Sequence, residues 1–202
     1  MTSSLSDVFV LFEGFSKVDP NQSIMKANCT STLIKSKGKN IIIDTMTPWD
    51  KDKLIGELAC HQVDPGQVNF LICTHGHSDH IGNNNLFLNA THIVGQSVSK
   101  GEEYDLKAFE QGKYVVTEDV EIFPTPGHTL DSISVKVRTE KGLVVVAGDL
   151  FEREEDLKDD TIWREIAGSE DETKQEYHRK EVLNIADYVI PGHGPMFRVL
   201  KE

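Results

Sequence analysis

Three of the chain's eight histidines fall within the eight residues 73–80, Cys-Thr-His-Gly-His-Ser-Asp-His, with an aspartate beside the last of them. Every defined position of H-x-H-x-D-H is a metal-ligand type, and the apolar run at 70–72 leads straight into it. A solvated polar turn has no need of that composition. Four more titratable residues stand where an apolar run ends: Asp44, His128, Asp149 and His193. Strand ends of one sandwich can share a rim, where a rigid frame presents functional side chains. His128, Asp149 and His193 each follow a glycine, which permits the sharp turn that aims the next side chain over the rim. Taken singly these are weak signals, since Pro-Gly-His is usually a turn and a lone aspartate such as Asp44 usually a turn or cap residue. Together His75, His77, Asp79, His80, His128, Asp149 and His193 make five imidazoles and two carboxylates. That set holds two cations if one carboxylate spans ions roughly 3.5–4 Å apart, and Asp149 is the natural bridge. Water held between such ions is acidified to a pKa of about 7, and the hydroxide attacks an ester carbon or a phosphorus. Two divalent ions outweigh the charge of Asp79, Asp149 and a hydroxide, so an anionic substrate is accommodated.

The surrounding pattern predicts the frame. Residues 7–14 read as a first strand, followed by a polar loop over 15–27 whose only cations are Lys17 and Lys26. Residues 29–44 read as a hairpin turning at 36–39, and 50–62 as a helix with Leu54, Ile55, Leu58 and Ala59 on one face and Asp50 as N-cap. Strands are expected at 68–73, 91–96, 113–123, 132–137, 143–149 and 187–193, and a helix at 172–186. Strand-rich halves with helical stretches imply an α/β sandwich, two packed sheets covered by helices. Cys73 reads as a small apolar group pointing into the sandwich, and His61, His92 and His178 as surface or core residues. His178 is the weak candidate for a general acid.

The chain has 202 residues and reads as a single domain, 1–202, without linker, repeat or low-complexity tract. Its net charge of −12 excludes a protein that coats nucleic acid through a basic face. The acid is concentrated, with 11 Asp/Glu against 4 Lys/Arg in residues 152–176, and an insert at about 152–172 reads as a solubilising surface segment at the cleft mouth. Lys35, Lys37 and Lys39 cap the first hairpin, some 17 Å of strand from Asp44 at about 3.3 Å per residue, and read as an edge-protecting turn. Three cysteines without a CxxC pair suggest reduced thiols in the cytosol or nucleus. Neither a signal peptide nor a membrane span is expected.

The run from Thr74 to His80, followed by His128, Asp149 and His193, resembles the hallmark of the metallo-β-lactamase superfamily, with Asp44 matching that family's first aspartate. The resemblance implies an αββα sandwich of two mixed sheets with helices on the outer faces. It also implies that His75, His77, His128 and Asp149 hold a first metal and Asp79, His80, His193 and Asp149 a second, most simply Zn2+, with Fe or Mn as alternatives. Asp79 and Asp149 would then be catalytic with a metal-bridging hydroxide, and Asp44 would bond a ligand or that water without touching metal. The stretches VVVAGDLFERE and PGHGPMFRVLKE resemble a short member of the glyoxalase II-like branch described as an endoribonuclease on the 3′ end of histone pre-mRNA. This implies RNA phosphodiester cleavage, a cytosolic and nuclear location, and a homodimer. The alternatives are a thioesterase or small-ester hydrolase of glyoxalase II type, acting on a small anionic ester, and a mono-iron persulfide dioxygenase. Asp149 stands where the commonest zinc β-lactamases carry cysteine. The nine residues after His193 leave no glutathione-binding extension, and 43 residues between Asp149 and His193 are too few for a nuclease cap domain.

Overall fold

A computed structural model describes residues 5–19, 21 and 23–201. Strand β1 (Asp7–Phe12) is followed by a hairpin of β2 (Phe15–Asp19) and β3 (Ile24–Asn28), then by β4 (Ser31–Ser36) and β5 (Lys39–Ile43). Helix α1 (Lys51–Cys60) crosses to β6 (Phe70–Cys73), and the one-turn α2 (Ser78–Ile81) leads toward β7 (Thr91–Val94), β8 (Ser97–Lys100) and β9 (Glu103–Tyr104). The remaining strands are β10 (Tyr114–Thr117), β11 (Val120–Pro124), β12 (Ile133–Thr139) and β13 (Gly142–Gly148). Helix α3 (Glu172–Ile185), β14 (Tyr188–Pro191) and β15 (Phe197–Arg198) complete the series.

The larger sheet has the order β1-β4-β5-β6-β7-β8-β9 and the smaller runs β10 through β15 in chain order, with α3 in the crossover from β13 to β14. Each mixes orientations. β5, β6 and β7 are parallel neighbours, as are β13 and β14, and the other pairs in both sheets are antiparallel. Parallel neighbours finish at the same rim, so Asp44 comes beside Thr74, and Asp149 beside the loop that carries His193.

Period-two alternation explains why strands such as 41–43 are apolar throughout. Ile41, Ile43, Ile72, Val144, Val146 and Ile190 fill the layer between the sheets with Ile122, Val135 and Val137. Their neighbours Ile42 and Leu71 face outward against Leu54 and Leu58 of α1, and Val145, Ala147 and Val189 against Val182 of α3. A sheet covered on both faces needs apolar side chains at odd and even positions alike. This is the expected αββα sandwich.

Several expectations are corrected. Residues 15–27 are no loop but the β2–β3 hairpin, whose apolar residues Phe15, Val18, Ile24 and Met25 remain exposed and so give no core signal. The run 113–123 folds back as β10 and β11, because Glu118 and Asp119 make a turn that Lys37 clamps at 2.7 and 2.9 Å. Ala59 is exposed, and the Asp50 side chain does not cap α1 but accepts from Asn28 and Thr47. Cys73 is buried, but on the α1 side of its sheet. The acidic segment is not merely solvated either. Asp156 is wholly buried in a bidentate pair with Arg179 of α3, whose guanidinium stacks on Phe151 and Trp163 at 4.3 and 4.9 Å. Only Glu154, Glu155, Asp159 and Asp160 of its early acids face solvent.

Arg179→Ala strands the Asp156 carboxylate without its cation in the interior. The expected loss is about 3–5 kcal/mol of unfolding free energy, measured by urea titration. A loss near zero would show that the acidic segment is not anchored through this pair.

Candidate metal centre

The structure brings all seven predicted side chains to one point on the rim. After β6 the chain bends at Thr74 and His75 and is extended again at His77 (ψ 148°), and the His75 and His77 rings meet edge to face at 4.4 Å. The turn of α2 then swings His80 inward, while Asp79 stays partly exposed. His128 enters from the loop between β11 and β12, Asp149 from the end of β13, and His193 from the end of β14.

One donor group comprises His75, His77, His128 and Asp149, and a second Asp79, His80 and His193. In the first, His77 Nδ1 lies 2.9 Å from His75 Nε2 and 3.1 Å from His128 Nε2. Asp149 Oδ2 lies 3.6 Å from His75 Nε2, 3.4 Å from His128 Nε2 and 3.2 Å from His193 Nε2. Its other oxygen is 3.3 Å from His80 Nε2. In the second group, Asp79 Oδ2 is 3.8 Å from His193 Nε2 and 4.0 Å from His80 Nε2. Donors bound about 2.1 Å from one tetrahedral ion sit roughly 3.4 Å from each other, close to this spacing. Two buried atoms of the cluster, His80 Nε2 and Asp149 Oδ1, have no hydrogen-bond partner. Orphaned donors facing each other at ligand spacing fit divalent cations.

The atoms behind the cluster fix which nitrogen points inward. His128 Nδ1 donates to the Gly168 carbonyl at 2.9 Å, and His193 Nδ1 to the Asn28 carbonyl at 3.0 Å. A carbonyl only accepts, so both Nε2 atoms carry lone pairs in the neutral rings. His80 Nδ1 donates to Asp44 Oδ2 at 2.9 Å, and His75 Nδ1 sits 3.1 Å from the Thr74 hydroxyl. Asp44 also accepts from the Thr74 amide at 2.8 Å and the Thr74 hydroxyl at 2.9 Å. It thus touches a candidate ligand from behind, as the family resemblance implies. Asp44 adopts a left-handed backbone (φ 56°), a conformation aspartate tolerates better than most residues.

Of the three preceding glycines, Gly127 leaves room for the Gln175 backbone, and the other two matter for distinct reasons. Gly148 has φ 53°, and a Cβ there would lie 2.5 Å from Thr74 Oγ1. Gly192 is needed for space instead of turning, because its Cβ would fall 1.8 Å from Asp149 Oδ1.

Charge follows from burial and crowding. His75 is held well below the usual histidine range by burial and by the His80 ring, and His77 is lowered by partial desolvation and by His128. Burial also opposes charge on His80 and His193, but there Asp149 wins, aided by Asp44 at His80, and His193 rises to about 9. Burial opposes ionisation of Asp149 too, yet His193, His80 and His75 keep it well below the carboxylate range.

Glu152 was not anticipated as a site residue. It is buried, groups with Asp149 and His193, and is pushed up to about 8 by burial and by Asp149. Its only sequence signal is its position three residues after Asp149. The Gly168 and Asn28 carbonyls carry none. His61 stacks on Phe9, His92 bonds the Phe87 carbonyl, and His178 packs on Tyr177; among the described residues none of the three bonds a cluster side chain.

The sandwich and its rim of imidazoles and carboxylates define a metal-dependent hydrolase scaffold. The chain belongs to the metallo-β-lactamase superfamily, whose family model matches residues 26–193. Metallo-beta-lactamase domain-containing protein 1 of Xenopus laevis is 44% identical over 199 residues, covering 96% of this chain and 82% of that protein. The Homo sapiens protein of the same name is 43% identical over 166 residues, 80% of this chain but 60% of its own length. Among solved structures, an N-acyl homoserine lactone hydrolase with its product at the catalytic metal centre superposes with a TM-score of 0.68 at 19% identity, covering 96% of this chain and 94% of that one. No helix among the described residues is long and apolar enough to cross a membrane.

Asp44→Asn keeps the backbone but removes the charge behind His80, and metal affinity should fall about 10–100-fold, read by chelator competition. Protonation gives a second expectation. The raised His193 stabilises the metal-free fold fully below pH 6.5, and that contribution is lost as pH rises through about 9. Glu152 acts in the same direction up to about 8, since the folded state holds its proton longer than the unfolded one. The thermal midpoint of chelated protein should therefore fall from pH 6.5 to 9. Metal-loaded protein should not show that fall, because metal needs the same nitrogens deprotonated. Equal slopes for the two forms would contradict the arrangement.

Proposed function

We propose that the chain is a binuclear metal-dependent hydrolase that cleaves phosphodiester bonds of RNA. The observation that carries the hydrolase reading is Asp149. One of its oxygens faces His75, His128 and His193, and the other faces His80, as expected of a carboxylate shared between two cation sites. Two Zn2+ bound there would supply Lewis acidity and water acidified to a pKa of about 7. His75, His77 and His128 would hold one ion and Asp79, His80 and His193 the other, with Asp149 common to both. Asp79, the more exposed carboxylate, would be the group to take a proton from the attacking water. Asp44 and the Gly168 and Asn28 carbonyls engage the outer nitrogens, so that in the neutral rings the lone pairs point inward at the donor positions. The RNA reading draws on the family resemblance of the stretches around Asp149 and His193.

A thioesterase or other small-ester hydrolase is the second reading. It is favoured by the exposed apolar residues Val18, Ile24 and Met25 of the β2–β3 hairpin, which suit an acyl chain better than a phosphate.

The test is one panel of single-stranded RNA, S-lactoylglutathione and glutathione persulfide, run beside elemental analysis. About two zincs per chain with RNA cleavage support the proposal. One iron with persulfide oxidation would replace it by a dioxygenase, and lactoylglutathione turnover alone would favour the ester reading. Asp149→Ala should lower cleavage more than about 100-fold, beyond the loss typical of a residue behind the ligands.

A further inference from the structure

The β2–β3 hairpin has two unlike faces. Ser16, opposite Ala27, turns toward the acidic segment, where its hydroxyl bonds Glu152 at 3.1 Å and receives Arg153 at 2.9 Å. The other face carries Phe15 opposite Asn28 and Lys17 directly opposite Lys26. Like charges facing each other across a strand pair are destabilising. Among the described residues neither lysine has an ion pair, and both are exposed. Asp19, on the same face, instead accepts from the Asn21 amide. Two cations held side by side against one carboxylate leave this face net positive, which suits an anion.

The surroundings place that face beside the cluster. Asn28 shares the lysine face, and its carbonyl holds His193 Nδ1. Lys26 is two residues, about 7 Å of strand, further out. The Asn28 side chain bonds Asp50 and the Thr47 amide, which ties this face to the turn Pro48–Asp50, and β3 packs on α2, which carries Asp79. In that turn Trp49 is 90% exposed, an unusual state for a tryptophan. Phe15 is half-exposed two residues from Lys17. Aromatic faces interleaved with cations are what single-stranded nucleic acids bind, with bases stacked on rings and phosphates on ammonium groups. The exposed acids Glu154, Glu155, Asp159 and Asp160 belong to the segment that the opposite face contacts.

We propose that Lys17, Lys26, Phe15 and Trp49 form a binding surface for single-stranded RNA that feeds the strand to the metal centre. The proposal rests on the RNA reading above for its link to cleavage, but the surface can be tested without turnover. A short fluorescein-labelled 2′-O-methyl oligoribonucleotide, which resists cleavage, is titrated by anisotropy across a salt series against metal-loaded wild type, the double variant Lys17→Ala/Lys26→Ala, and Trp49→Ala. Each phosphate contact contributes about 0.7 to the slope of log affinity against log salt, so the double variant should flatten it by about 1.4. Trp49→Ala should weaken binding about fivefold or more with the slope unchanged, since stacking releases no counterion. Metal content equal to wild type and a thermal midpoint no lower than wild type exclude misfolding.

An unchanged slope in the double variant, or no binding by wild type, overturns the surface whether or not RNA is cleaved. Binding through the patch without cleavage by wild type would keep the surface and defeat the nuclease reading.

Discussion

A carboxylate buried among imidazoles is tolerable only while opposite charge surrounds it, and Asp149 is such a group. It is 5% exposed, with four histidine nitrogens within 3.6 Å. An isolated ionised carboxylate in that position would be far too costly to bury. Protons on His80 and His193 can meet the demand in the empty chain, and cations would meet it in the loaded one. Much of the rim is built around that requirement, from the missing side chain at Gly192 to the Gln175 amide that binds the Asp149 carbonyl at 3.0 Å.

The two sheets contribute by different routes to the same point. Parallel β5 and β6 end together, so Asp44 can reach the Thr74 amide and hydroxyl and the His80 ring at once. Parallel β13 and β14 end together, which sets His193 against Asp149. The sheets are then joined across the rim by the contacts of His75 and His80, which follow β6, with Asp149 at the end of β13. The cluster is therefore a tertiary bond between the halves as well as a candidate site. The β2–β3 hairpin closes one flank through the Asn28 carbonyl, and the acidic segment another through the Gly168 carbonyl that holds His128.

The strands of the core were legible because an apolar run on a doubly covered sheet is a strong local signal. The hairpin over 15–28 was missed because its apolar residues stay exposed and its polar ones sit on both faces. Glu118 and Asp119 broke a long apparent strand through a turn that only the clamp from Lys37 makes visible. The acidic segment misled for the opposite reason. Its charge count is that of a solvated surface, yet Asp156 and Arg179, 23 residues apart, neutralise each other inside the fold.

Residue type and order alone determined the seven candidate donors and the layered architecture. Imidazoles and carboxylates at strand ends, and apolar residues at every position of a doubly covered strand, are written in one dimension. Tertiary structure alone decided which nitrogen of each histidine faces inward, that Glu152 joins Asp149 and His193, and that Lys17 stands opposite Lys26. Those facts depend on backbone carbonyls, strand register and burial, which arise when distant segments meet and which no local pattern of side chains encodes.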